Sequence, residues 1–460
     1  MQSKEEAIDC YKKSLDVDGG DVKALSSLKD IYFESEDWEN YLKYFKQEAE
    51  ATDDPDEKAK IFAAIGSFYK KQIDDEDNAI PFFEAALEKK PNYLAAAKPV
   101  ADYYFAKKDW KGAQSPLEVL VKNLTPGENK KELVKEYYRL GFVSEQLKDL
   151  DSALKNYRES FKLDATYFPT LEAFGRALIQ AEKWQEAIRV HQTILLHHRD
   201  DLDELEIVDI FNRLGELFMK EAENEKALKS FMRAYEINEM DHRTIENLVN
   251  VHTRREDWES VYDYSEKLAA LLVNDQQVQE YLKLAKFSRD KLDDNFRAIS
   301  AVENALESDP ENLEAMELAI RLYVSTQQGK RAVELIDKVI EKDISDRKKV
   351  IYHLTAGQIC HQNMRERDKA IGHFNSVVKI EPANVKAFAA LEELLAEKKD
   401  WKKLAEAYER MIDNTAQGEK ERVKILHQNL AELYRRMLND VPNAIKNYEA
   451  LLEISTEDSE

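Results

Sequence analysis

Apolar residues recur along the chain at the spacing of amphipathic helices. From Ala227 to Ala234 the sequence reads Ala-Leu-Lys-Ser-Phe-Met-Arg-Ala, with small or apolar side chains at offsets 0, 1, 4 and 7. These offsets keep them on one face of a helix of 3.6 residues per turn. Similar stretches follow one another over nearly the whole chain, and some end at a proline, as at Pro91, Pro310 and Pro382. The pattern predicts a chain of successive short helices.

Tryptophans mark an internal repeat of 71 to 74 residues. They are 72, 74, 74 and 143 residues apart, at Trp38, Trp110, Trp184, Trp258 and Trp401. The last interval is two periods long, and Gly329 stands where a tryptophan would be expected. An alanine lies 31 residues before each of these six positions, at Ala7, Ala79, Ala153, Ala227, Ala298 and Ala370. A constant internal offset indicates a repeat architecture, in which we expect the tryptophans to be structural and to wedge between helical hairpins.

A small residue precedes most of the alanines by twelve or thirteen positions, and it allows two helix backbones to approach closely. Gly66, Gly141 and Gly215 are examples of such residues. The full order of a unit is illustrated by Leu214, Gly215, Phe218, Ala227, Phe231 and Ala234. This order resembles the tetratricopeptide repeat (TPR), a helix–turn–helix unit of 34 residues. Each period then holds two units, one with the alanine and a divergent one with the tryptophan.

The resemblance implies an all-α fold, a right-handed superhelical α-solenoid of about twelve divergent TPR-like hairpins. We expect a single solenoid over residues 1–460, with an orphan helix at about 4–16 followed by the twelve hairpins. Neither end shows the polar cap that terminal repeats normally carry. We therefore expect a segment of a longer array, with self-association through the uncapped ends as the alternative.

The net charge of the chain makes some classes of binding partner less favourable than others. The 460 residues carry a formal net charge of −23, and this acidic field repels phosphate backbones and anionic lipid. Direct nucleic-acid binding and membrane binding are therefore disfavoured. The sequence shows no signal peptide and no apolar run of about 18 residues. Its two cysteines, Cys10 and Cys360, are far apart and compatible with a reducing compartment. We expect a cytoplasmic protein.

Motifs for catalysis or cofactor binding do not occur in the sequence. Glycine-rich phosphate loops, nucleophile elbows and the zinc-protease motif are absent. The densest group of soft ligands is formed by His353, Cys360, His361 and His373. His353 and His361 are eight residues apart, too far along one helix to chelate together. We predict no metal, no cofactor and no enzymatic activity.

In the TPR family the first helix of each hairpin lines a concave groove that binds protein segments. The resemblance carries this groove onto Lys98, Asp102, Phe105, Tyr138, Phe142, Glu145, Glu172, Arg176, Ile179, Asp209, Asn212, Glu216 and Met219. Among them, Phe105, Tyr138, Phe142 and Ile179 would form an apolar strip, unless they pack against a neighbouring hairpin.

The function implied is a non-enzymatic protein–protein interaction scaffold. An acidic groove with an apolar strip favours protein or peptide segments that bring positive charge and apolar anchors. The alternative is a half-a-TPR-type scaffold of an RNA-processing complex.

Overall fold

The computed structural model of the protein describes residues 2–415 and 419–457. Within these ranges the chain is built of helices and contains no strand. The predicted all-α solenoid of helical hairpins is confirmed; the hand of its superhelix stays a prediction. The chain divides into two compact units, Met1–Asn247 and Leu248–Glu460.

In the first unit a lone helix is followed by consecutive helical pairs. Its helices are α1 (Gln2–Val17), α2 (Val22–Glu34), α3 (Trp38–Ala51), α4 (Pro55–Phe68), α5 (Glu76–Lys89), α6 (Leu94–Ala106), α7 (Trp110–Asn123), α8 (Pro126–Gln146), α9 (Leu150–Leu163), α10 (Phe168–Gln180), α11 (Trp184–His197), α12 (Glu204–Lys220), α13 (Asn224–Ile237) and the start of α14 (His242–Arg254).

The second unit begins within α14 and continues the alternation. Its further helices are α15 (Trp258–Leu271), α16 (Asn274–Lys291), α17 (Asn295–Ser308), α18 (Leu313–Ser325), α19 (Gly329–Ile340), α20 (Asp346–Ile359), α21 (Arg367–Ile380), α22 (Val385–Glu397), α23 (Trp401–Asn414), α24 (Lys420–Leu433) and α25 (Val441–Glu457). Even-numbered helices are the first helices of hairpins and odd-numbered ones the second; α1 stands before the first pair.

The turn inside each hairpin passes through one residue with positive φ. Between α12 and α13 this residue is Ala222, at 60°. The N–H of Glu223 then donates to the carbonyl of Phe218, five residues back, at 2.9 Å. In many hairpins an aspartate follows and caps the second helix, as Asp149 does by accepting from the N–H of Ser152 at 3.0 Å. The turn therefore provides hydrogen-bond partners for carbonyl groups at the end of one helix and for amide groups at the start of the next.

One inserted residue enlarges this turn in several hairpins. Gly66 precedes Ala79 by thirteen residues rather than twelve. Here α4 continues into a π-helical turn, Tyr69–Ile73, and the N–H of Asp75 donates to the carbonyl of Tyr69, six residues back, at 3.1 Å. The insertion is absorbed outside the helix crossing, so the alanine keeps its place in the core.

Close packing within the hairpins explains the small residues. Gly215 of α12 lies directly against the ring of Phe231 on α13, and Gly141 of α8 lies against Tyr157 on α9. A Cβ atom at Gly141 would stand 2.6 Å from Cδ1 of Tyr157, closer than two carbon atoms can approach. Each ring occupies the space that a side chain on the facing helix would need.

The tryptophans pack between successive hairpins. Trp38 contacts Phe68 of the following hairpin with ring centroids 5.3 Å apart, and Trp258 contacts Phe287 at 6.1 Å. Trp184 lies beneath the ammonium group of Lys220, and Trp401 packs half-buried against the core of the second unit. At Gly329 a Cβ atom would stand only 2.7 Å from Cγ2 of Ile359 on the next hairpin. An indole could not be placed there without moving α20.

Candidate protein-interaction surface

First helices of successive hairpins lie side by side in the first unit. Lys98 of α6 pairs with Glu132 of α8, and Arg139 of α8 donates to Asp102 of α6 at 2.7 Å. We call the surface formed by α6, α8, α10 and α12 the first-helix face. All of the predicted groove residues belong to these four helices.

Aromatic side chains on this face form a connected group. The ring centroids of Phe105 and Phe142 are 5.9 Å apart, and each lies 5.6 Å from that of Trp110. Tyr138 extends the group, 6.4 Å from Phe142. All four side chains are partly exposed. We call these four residues the aromatic strip; it joins three predicted binding residues to a tryptophan that the repeat pattern marked as structural.

The other residue of the predicted apolar strip, Ile179, lies half-buried on α10. It stands five residues before Trp184, as Phe105 stands five residues before Trp110. The two residues therefore share a register, but Ile179 extends the apolar surface with an aliphatic rather than an aromatic group.

A buried arginine that the sequence analysis missed supports the strip. Arg139 is 5% exposed and its guanidinium lies over the ring of Phe105, with Cζ 4.6 Å from the centroid. It donates to Asp102 at 2.7 Å, to Glu136 at 2.8 Å and to the carbonyl of Ala101 at 3.2 Å. Burial raises the pKa of Glu136. In the sequence, this buried ion pair is indicated by Glu136 and Arg139, two charged residues three positions apart on an otherwise apolar face of α8.

Carboxylates predicted on α12 are already paired within the protein. Arg243 of α14 donates to Asp209 at 2.6 Å and forms two bonds to Glu216, at 2.9 and 3.0 Å. Arg213 pairs with Asp209 as well, at 2.7 Å. The two carboxylates remain partly exposed, but their charge is largely balanced by these arginines.

The remaining predicted positions differ in accessibility. Asn212 is 1% exposed, and its amide donates to Thr244 at 2.8 Å and to Asp241 at 3.2 Å. It lies beneath the first-helix face, where a partner cannot reach it. Glu145 accepts a hydrogen bond from the hydroxyl of Tyr157 at 2.7 Å. Glu172 and Arg176 are exposed on α10, and Met219 is half-buried near the end of α12.

The histidine group of the second unit comes together only in part. Nδ1 of His353 lies 3.1 Å from Nδ1 of His373, and Nε2 of His373 lies 3.6 Å from Asp337. Burial lowers the pKa of both imidazoles and raises the pKa of the Cys360 thiol. His361 lies instead beside Glu393, at 3.9 Å. Among the described residues, no three or more His, Cys, Asp or Glu side chains are arranged to hold a metal ion.

No helix in the described part of the chain is long and apolar enough to cross a lipid bilayer.

Comparison with known families identifies the repeats. Models of the tetratricopeptide repeat match residues 59–93, 137–167, 170–205 and 208–239. The matched segments fall on four hairpins, α4–α5, α8–α9, α10–α11 and α12–α13. The chain is a tetratricopeptide-repeat protein. All four matched hairpins belong to the first unit of this TPR protein, and two of them carry the clearest glycine–aromatic contacts.

A curated relative is Superkiller protein 3 of Schizosaccharomyces pombe. It is 22% identical over 338 residues, which cover 70% of this TPR protein and 24% of the relative. The chain thus spans about a quarter of the length of the curated relative it matches.

Solved TPR structures are similar at low identity. YrrB, described as a TPR protein with an unusual peptide-binding site, is 18% identical with a TM-score of 0.32, covering 41% of this chain and 90% of YrrB. The C-terminal part of a TPR repeat-containing protein from Cytophaga hutchinsonii is 19% identical with a TM-score of 0.37, covering 56% and 98% of the two chains. At such scores these similarities carry no information on what the protein binds.

Proposed function

We propose that this TPR protein is a non-enzymatic scaffold that binds protein segments on its first-helix face, with the aromatic strip as the main contact. The observation that carries the proposal is the contact between Phe105 and Phe142. These rings come from successive first helices, lie 5.9 Å apart and are both partly exposed. They join two hairpins into one apolar surface that a single partner segment can cover.

The strip has properties found at the energetic centre of protein interfaces. Aromatic residues and arginine are enriched there, and a few of them account for most of the binding free energy. Arg139 holds the ring of Phe105 in place through a stacking contact. A partner therefore meets a preorganised surface, which lowers the entropy cost of association.

We expect the charge of the partner segment to contribute less to binding than its contacts with the aromatic strip. The preference for basic segments rests on the net charge of −23. Near the face, however, Asp102, Asp209 and Glu216 are each paired with an arginine. We therefore expect positive charge on the partner to raise the association rate more than the residence time.

Affinity capture with a double variant tests the proposal. Tyr138→Ala combined with Phe142→Ala should abolish capture of the main partner at moderate salt, because each anchor contributes about 2 kcal/mol or more. Circular dichroism should show nearly unchanged helicity and melting. Mass spectrometry of the retained proteins measures the loss.

Phe33→Ala is the matched control. Phe33 lies five residues before Trp38, contacts that indole at 5.7 Å and is 46% exposed, but it belongs to α2. This control should keep the partner. Loss of helicity in the double variant would place its rings in the core, and retention of the partner by a folded double variant would move the binding surface elsewhere.

Membership of an RNA-processing complex stays a prediction. The same capture experiment addresses it, because the retained proteins would then include RNA-processing enzymes, with or without nuclease treatment of the extract.

A further inference from the structure

A cleft on the second-helix side of the first unit is lined by positive charge, although the chain as a whole is acidic. It lies between α11 and α13, has α12 as its floor and encloses about 310 Å³. We call it the α11–α13 cleft. It lies outside the first-helix face, because it opens between second helices.

The floor of the cleft is apolar. Phe211, Leu214 and Phe218 of α12 line it, and each is less than one tenth exposed. Their spacing of three and four residues puts them on one face of α12. A volume of 310 Å³ stands at the lower end of the range for ligand sites, which suits one inserted side chain better than a whole cofactor.

The charged groups that line the cleft are all cations. Lys226, Lys229 and Arg233 stand at i, i+3 and i+7, so they project from one face of α13. Nζ of Lys226 lies 5.6 Å from the ring centroid of Phe218, and Cζ of Arg233 lies 6.0 Å from that of Phe211. Lys226 and Arg233 thus stand over the apolar floor, where attraction to the ring faces helps to hold them.

Two of these cations have their charge available. Lys226 pairs with Glu223, whereas Lys229 and Arg233 make no ion pair within the described residues. A larger depression along α13 shares Lys229 and Arg233 but also contains Glu225 and Glu236. The purely positive lining is therefore a property of the α11–α13 cleft itself.

A similar cleft in the second unit shows that the repeat architecture does not impose this charge. It lies between α17 and α19 over α18, and three acidic side chains line it: Glu303, Glu334 and Asp337. Its cations are Arg331 and Lys338, and Arg331 is already bonded to Glu303 at 2.7 Å. The same arrangement of helices thus carries mixed charge in one unit and positive charge in the other.

We propose that the α11–α13 cleft is a second binding site, which takes an acidic peptide segment of another protein and inserts one large apolar side chain of it. The apolar floor receives the side chain, and Lys229 and Arg233 contact carboxylates next to it. In a chain of net charge −23, such a site attracts an anionic segment only through a local concentration of cations.

A fluorescein-labelled peptide with the core sequence EEDFEE tests the proposal with the whole chain at low salt. Fluorescence anisotropy should show binding with a Kd below about 1 mM. Lys229→Glu combined with Arg233→Glu should weaken it by about tenfold or more, because attraction becomes repulsion. The peptide EEDSEE should bind at least about tenfold more weakly, since it lacks the apolar anchor.

Arg331→Glu combined with Lys338→Glu is the matched control, because it changes the net charge equally in the α17–α19 cleft. It should leave the affinity within about twofold. Lys229→Gln with Arg233→Gln, which only removes the charges, gives a milder test if the glutamate variant does not fold. The proposal is overturned if the peptide does not bind, if both glutamate variants weaken it equally, or if EEDSEE binds as well as EEDFEE.

Discussion

The α12–α13 and α16–α17 hairpins pack the same helix crossing with different side chains. In α12–α13, Gly215 lies against the buried ring of Phe231. In α16–α17 the same two positions are held by Ala285 and Val302, both buried in one core cluster. A large side chain on the second helix is thus matched by the smallest residue on the first, and a medium one by alanine. In these two hairpins a larger side chain on one helix is therefore compensated by a smaller residue on the other.

Their turns differ as well. In α12–α13 the turn residue is Ala222, and the closing bond runs five residues back. In α16–α17 the turn residue is Asp293, with φ of 52°, and the N–H of Asp294 donates to the carbonyl of Ser288, six residues back, at 3.1 Å. Both the residues of the crossing and the length of the turn therefore differ between these two hairpins.

The largest expected effect comes from filling the glycine position. Gly215→Leu should destabilise the α12–α13 hairpin by about 3 kcal/mol, because the new side chain overlaps the ring of Phe231. Urea unfolding followed by circular dichroism should also become less cooperative, since each hairpin is coupled only to its neighbours. Gly372→Leu is the control: Gly372 is exposed on α21, and a Cβ atom there meets no atom within 4 Å. Equal stability of the Gly215→Leu variant and the unmodified protein would contradict the close contact.

Changing the sizes of the two facing residues in α16–α17 should have a smaller effect on stability. Val302→Phe should cost about 2 kcal/mol, because the larger ring must fit into a buried core beside Ala285 rather than beside a glycine. Adding Ala285→Gly should recover about 1 kcal/mol of this loss, since the pair then matches that of α12–α13. Thermal unfolding of the two single variants and the double variant gives the coupling free energy. Purely additive effects would show that the two positions do not face each other.

Relief of strain in the turns should give the smallest change. Ala222→Gly should raise the free energy of unfolding by about 1 kcal/mol, because glycine adopts positive φ without the clash that a Cβ atom causes. Asp293→Gly should raise it by only about half as much, since aspartate tolerates this conformation better than alanine. Chemical denaturation of both variants measures the difference. A larger gain at Asp293 would contradict this account of the turns.

The repeat itself could be predicted because it depends on local sequence. Offsets between glycine, alanine and tryptophan report which residues share a helix face, and helix geometry is fixed by the backbone. The thirteen-residue interval before Ala79 was visible too. The sequence did not show that the extra residue is accommodated in a π-helical turn, because this depends on how the two helices pack in the core.

The candidate surfaces could be predicted only in part. Phe105 and Phe142 were expected on the first-helix face, and their contact required the structure. Arg139 was overlooked because a charged residue on a helix is usually solvated, and only packing against α6 buries it. The cations of α13 look like any solvated helix face in sequence.

The sequence by itself determined the all-helical repeat, its phase and the residues that fill each hairpin crossing, since these follow from spacing along one chain. The tertiary structure alone decided which side chains from different hairpins meet. It brought Trp110 into the aromatic strip, balanced Asp209 and Glu216 with Arg243, and placed Lys229 and Arg233 in one cleft with an apolar floor. Such contacts join residues on neighbouring helices, and their distances depend on how closely each pair of helices packs.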